Sequence, residues 1–116
     1  MQSRAEKRRS RRVAIDLVVT FAIRSPGAEA AVGIAKDVSI GGMFIETAAP
    51  APFGAAVLVS FEPSGFVRAV LVPATVRWTR VDGMGVQFGL LGARETHAIT
   101  EMTRASGVRE RPPMRR

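Results

Sequence analysis

Every odd position from Val13 to Ile23 is apolar, while Asp16 and Thr20 fall on even ones. A period of two gives an extended chain one buried face and predicts a strand over 13–23. Pro26 and Gly27 in "SPGAE" break it. A second strand is predicted from Ala31 to Val38, and "SIGG" turns the chain into a third, Met43 to Thr47. After the two-proline loop "AAPAPFG", alternation returns over Ala56–Glu62 through Val57, Val59 and Phe61. "PSG" leads into a long strand, Phe66–Arg80, whose Pro73 cannot donate to a ladder and so asks for an edge or a bulge. "VDG" precedes the last strand, Met84–Phe88.

Only near the end does the period change. Across Ala93–Ala105, Ile99 and Met102 share one side while Arg94, Glu95 and Glu101 lie elsewhere, the pattern of an amphipathic helix with Gly107 as its stop. Short strands separated by turn signals, with no intervening helices, predict an all-β fold with one helix: a six-stranded antiparallel barrel plus a C-terminal α-helix.

Composition changes this picture little; charge changes it more. The 116 residues suit one domain and contain no cysteine, which excludes disulfides and thiolate chemistry and suits a reducing compartment. No apolar run is long enough to span a bilayer, and no signal-peptide core follows the basic N-terminus, so a soluble, cytoplasmic protein is expected. The net charge of +7 sits on the flanks: six basic groups against Glu6 in residues 1–12 give +5, and five arginines against Glu110 in residues 104–116 give +4. Residues 13–103, with six basic and eight acidic groups, carry −2. The division expected is a flexible basic arm over 1–12, a barrel with its helix over 13–106, and a disordered basic tail over 107–116. A nucleic-acid binder would more often build a basic face into the fold itself.

Enzymatic constellations are missing. His97 is the single histidine, with no cysteine to join it at a metal site. No serine lies in a G-x-S-x-G elbow, no glycine-rich loop has phosphate-binding spacing, and the acids are scattered singly. Neither catalysis nor a cofactor is expected. Two small motifs remain: Arg8-x-x-x-Arg12 and "DVSIGG", Asp37-x-Ser39-x-x-Gly42. Asp37 and Ser39 are two apart and project to one face of an extended segment. Gly41 and Gly42 permit positive φ and close approach to the backbone. Taken alone, the first motif is a chance product of an arginine-rich tail and the second an ordinary polar turn.

In this order around a six-stranded barrel, they resemble the PilZ domain, a family that binds the bacterial second messenger cyclic di-GMP. The resemblance covers about residues 6 to 103 and includes "RRSRRVAI", "DVSIGGMFIET", "RWTR", "GMGVQF" and the closing helix. The "GG-x-F" turn, "VRW" and "GMGVQF" look most like PilZ-like domains of myxobacteria and their relatives. The resemblance implies that Arg8 and Arg12 hold phosphate and guanine, that Asp37 and Ser39 take guanine donors and acceptors, and that Gly42 shapes the turn. Arg4, Arg9, Arg11 and Gly41 are further candidates for contact. Trp78, the only tryptophan, is core filler by default, whereas in some relatives an aromatic on this strand stacks on a guanine.

The implied protein is a receptor whose N-terminal arm orders over cyclic di-GMP and signals to a protein partner in motility, biofilm or polysaccharide control. It would be a monomer or weak dimer that neither binds nucleic acid nor inserts into a membrane. The rivals are a PilZ-fold adaptor indifferent to nucleotide and a small basic barrel that binds nucleic acid through its flanks.

Overall fold

The computed structural model describes residues 12–63 and 68–114, the stretch 105–114 by its backbone alone. The elements are β1 (Val13–Ile23), β2 (Ala31–Ser39), β3 (Gly42–Glu46), β4 (Ala56–Phe61), β5 (Val70–Arg80), β6 (Gly83–Phe88) and α1 (Ala93–Met114). The strands close into a barrel in the order β1-β2-β3-β6-β5-β4, with every neighbouring pair antiparallel. The expected fold class is therefore the observed one.

The period-2 pattern decides what is inside. Val19 and Phe21 of β1 meet Val57, Val59 and Phe61 of β4, Val72 and Val76 of β5, and Met43, Ile45 and Met84 of β3 and β6 in one buried cluster. Ala98 and Ile99 of α1 are fully buried in the same cluster, with Met102 one turn on packed against it. The helix thus buries one stripe against β1, β2 and β5, and the Arg94 guanidinium ties its start to the carbonyls of Arg68 (3.2 Å) and Ala69 (3.3 Å).

Three expectations change or sharpen. β5 begins at Val70 instead of Phe66, with residues 64–67 outside the described ones. Pro73 lies at a local edge, where the β5–β6 ladder stops, and not on an edge strand or at a bulge. The Pro73 carbonyl accepts the Gly89 N–H (2.8 Å), and β6 pairs with β5 only from Phe88↔Ala74 onward. Because N–H and C=O of one strand residue point the same way, the missing N–H faces a place where the β6 ladder has already ended. Gly107, read as the helix stop, lies inside α1, so the boundary at 106 falls within the helix. An interior glycine costs only about 1 kcal/mol relative to alanine, which does not end a helix by itself.

Candidate functional site

Two bulges prepare the site. The β2–β3 register passes from Ala35↔Ile45 to Asp37↔Phe44, leaving Lys36 as the extra residue. The β5–β6 register passes from Val76↔Val86 to Trp78↔Gly85, leaving Arg77 extra. A bulge shifts the side-chain alternation by one, so the residues beyond it change face. Ala35 and Val76 are fully buried, and without the bulges Asp37 and Trp78 would share their inward face. Instead both point outward. Register then sets them in one row across four strands: Asp37↔Phe44, Phe44↔Gly85, Gly85↔Trp78.

At one end of the row, Asp37 Oδ1 accepts a hydrogen bond from Arg12 Nη1 (2.5 Å) and another from the Phe44 N–H (3.2 Å). The Arg12 and Asp37 side chains keep 47% and 33% of their exposure, so the pair is open to solvent. Ser39 lies on the same outer face, since Val38 between them is in the core, but it is itself buried. Ser39 Oγ accepts the Gly41 N–H (3.1 Å), and the Gly41 carbonyl accepts the Phe88 N–H (2.8 Å), which fixes the hairpin tip to β6. The expected positive φ is not found at Gly41 or Gly42; among the described residues only Gly27 and Gly54 have it. What Gly42 provides is space. A Cβ there would lie 2.2 Å from the Val86 carbonyl oxygen across the β3–β6 ladder.

At the other end, Phe44 and Trp78 stack with centroids 5.3 Å apart and planes 9° from parallel. The Arg80 guanidinium lies 4.7 Å from the Phe44 centroid and 5.5 Å from that of Trp78, within cation–π range of both. The bed for these rings is glycine. A Cβ at Gly85 would strike the Trp78 indole at 2.2 Å, and one at Gly83 would strike Phe44 Cζ at 2.6 Å. Trp78 remains 42% exposed, so it is surface and not the core filler its strand position suggested. Gly85→Ala should swing Trp78 outward, red-shift its emission and cost about 1 kcal/mol, the worth of a lost aromatic stack. An unchanged emission spectrum would show that the glycine bed does not hold the indole.

Of the residues singled out in the sequence, Arg12, Asp37, Ser39, Gly41 and Gly42 lie together and Trp78 ends their row. Arg4, Arg8, Arg9 and Arg11 lie outside the described residues. Phe44, Arg80, Gly83 and Gly85 were not singled out. The signal for them was present: in "GMG" two glycines share one face, and in "WTR" so do Trp78 and Arg80. His97 is exposed on α1, and among the described residues no cluster of three His, Cys, Asp or Glu side chains could hold a metal. No helix among them is long and apolar enough to cross a membrane.

The sequence pattern of the PilZ domain matches residues 4–105. No curated protein sequence matches significantly. Among solved structures, the chain is similar to the PilZ domain of CeSA from a cellulose-synthesizing bacterium, with a TM-score of 0.69 and 16% identity over 83% of this chain and 97% of that one. It is also similar to the Bacillus subtilis inhibitor of motility MotI/DgrA, with a TM-score of 0.67 and 16% identity over 86% of this chain and 51% of that one. The Borreliella burgdorferi PlzA protein in complex with c-di-GMP gives a TM-score of 0.62 and 17% identity over 88% of this chain and 44% of that one. This chain thus spans about half the length of the last two. Identities this low establish a shared fold.

Proposed function

The chain belongs to the PilZ domain family, and on that premise we propose that it is a receptor for cyclic di-GMP. The observation that carries the reading is the Arg12–Asp37 contact. It joins the last residue of R-x-x-x-R to the first of D-x-S-x-x-G at the head of a row that ends on an exposed tryptophan.

Each group suits a part of such a ligand. A guanidinium forks onto phosphate oxygens or onto the O6/N7 edge of guanine, which assigns Arg8 and Arg12. A carboxylate accepts from guanine N–H donors, which assigns Asp37, with Ser39 and Gly42 shaping the turn beneath. The indole of Trp78 offers a face for a base, worth roughly 1–3 kcal/mol. Arg9, Arg11 and Gly41 complete the assigned contacts. Ligand draws residues 1–12 onto the barrel by replacing the Arg12–Asp37 pair with contacts from both residues to nucleotide. The composite surface is then read by a protein partner, and the domain has no catalytic role of its own.

A calorimetric titration with cyclic di-GMP, repeated on two truncations, tests this reading. Full-length protein should bind with whole-number stoichiometry and a shallow salt dependence, since the ligand has only two phosphates to exchange for counterions. Deleting residues 1–12 should abolish binding, whereas deleting 107–116 should leave it nearly intact. The two segments carry similar charge: +5, and +3 from four arginines against Glu110. Equal losses would mean that charge acts in bulk and favour nucleic acid as ligand; no binding at all would leave a nucleotide-independent adaptor.

A further inference from the structure

The aromatic end of the row already carries a cover. Gly83 and Gly85 leave room for Phe44 and Trp78 against the sheet, and the Arg80 guanidinium lies over both rings, at 4.7 and 5.5 Å from their centroids. Trp78 and Arg80 both come after the bulge in β5 and are two apart, so they project to the same outer face. Arg80 Nε also donates to Asp82 Oδ1 at 3.2 Å. The Asp82 carbonyl accepts the Thr47 N–H at 3.0 Å, which anchors the β5–β6 hairpin tip beside the end of β3. The arginine therefore has a fixed root and a loose head. Both side chains of the Arg80–Asp82 pair keep 55% of their exposure, and an ion pair so exposed holds weakly.

We propose that Arg80 is a further ligand-binding residue, a lid that lifts from the rings and closes over the base stacked on Trp78; the inference rests on reading the site as one for cyclic di-GMP. Spacing requires the lift. Flat groups pack about 3.5 Å apart, so a base between ring and guanidinium sets those two about 7 Å apart. At 4.7 Å from Phe44 and 5.5 Å from Trp78 the guanidinium leaves no such gap. Phe44 is buried, so the exposed indole is the ring that a base meets.

Energetics keep the lid in place once it has lifted. A guanidinium plane stacks on a base as it does on an aromatic ring, and unstacked bases are held on either kind of plane. An arginine swung into water gives up its π face and receives none in return. One that closes over the base keeps a π face and sets its charge beside a ligand that carries two phosphates.

Trp78 is the only tryptophan and the chain has no tyrosine, so fluorescence reports this site alone. Without ligand, Arg80→Ala should raise acrylamide quenching of Trp78, because its cover is gone. In calorimetric titrations with cyclic di-GMP, Arg80→Ala should bind at least about fivefold more weakly than wild type, the worth of one cation–π contact. Arg80→Lys should recover only part of that loss, since an ammonium keeps the charge but has no plane to stack. In a Trp78→Ala background, Arg80→Ala should cost less than about twofold, because the two planes hold one base between them. The lid is overturned if lysine serves as well as arginine, or if the losses from Trp78→Ala and Arg80→Ala simply multiply; either result makes Arg80 a charge contact. Unchanged quenching in ligand-free Arg80→Ala overturns it as well. A wild-type protein that binds no cyclic di-GMP sinks the receptor reading and the lid together, whereas binding indifferent to Arg80 sinks the lid alone.

Discussion

Arg12→Ala should weaken cyclic di-GMP binding by at least about tenfold while leaving the melting temperature of the ligand-free protein nearly unchanged. The two expectations have different sources. A forked guanidinium contact to phosphate or guanine is worth roughly 1–3 kcal/mol of binding. In the ligand-free protein Arg12 makes a solvent-exposed ion pair with Asp37, and such pairs contribute at most about 1 kcal/mol. Asp37 would keep its hydrogen bond from the Phe44 N–H, so removal of the guanidinium leaves no buried charge without a partner. Calorimetry and a thermal melt on the same variant separate the effects. A drop of several degrees without ligand would make Arg12 a structural clasp; unchanged affinity would remove it from the site.

The second large effect falls on stability. Gly42→Val should destabilise the barrel by on the order of 3 kcal/mol, because there is nowhere for the new side chain to go. The obstructing atoms are backbone: the Val86 carbonyl oxygen at 2.2 Å from the new Cβ and the Gln87 Cα at 3.3 Å. Both belong to a strand locked between β3 and β5, so relief requires opening the β3–β6 ladder beside the hairpin that carries Asp37 and Ser39. Gly27→Ala is the informative contrast. Gly27 has a φ of 79° but nothing within 4 Å of a new Cβ, so only the left-handed backbone penalty of about 1–2 kcal/mol applies. Urea denaturation of both variants distinguishes crowding from backbone conformation. Equal stabilities would show that the close approach at Gly42 yields easily.

Local chemistry was enough to give the architecture. Alternation at Val13–Ile23 and Ala56–Phe61, turn residues between strands, and the change of period at Ala93 follow from side-chain geometry and burial within a few residues, and they were legible without a fold. The two-residue spacing of Asp37 and Ser39 was legible for the same reason, because both come after the bulge and keep their phase relative to each other. The phase of Trp78 was not. On alternation alone it continues the inward series Val70, Val72, Ala74, Val76, and only the extra residue Arg77 turns it to the surface. The bulge sets Trp78 opposite Gly85, which gives the indole a flat bed, and no window of β5 contains that pairing. The same holds for the row that brings Phe44 and Trp78 onto each other and sets Asp37 beside them. Their separation in sequence is bridged by the registers of three strand pairs, which the closure of the barrel fixes all at once. The sequence by itself determined which polar and aromatic side chains these segments carry; tertiary pairing decided which face they share, because facing is set by register and register belongs to two strands at a time.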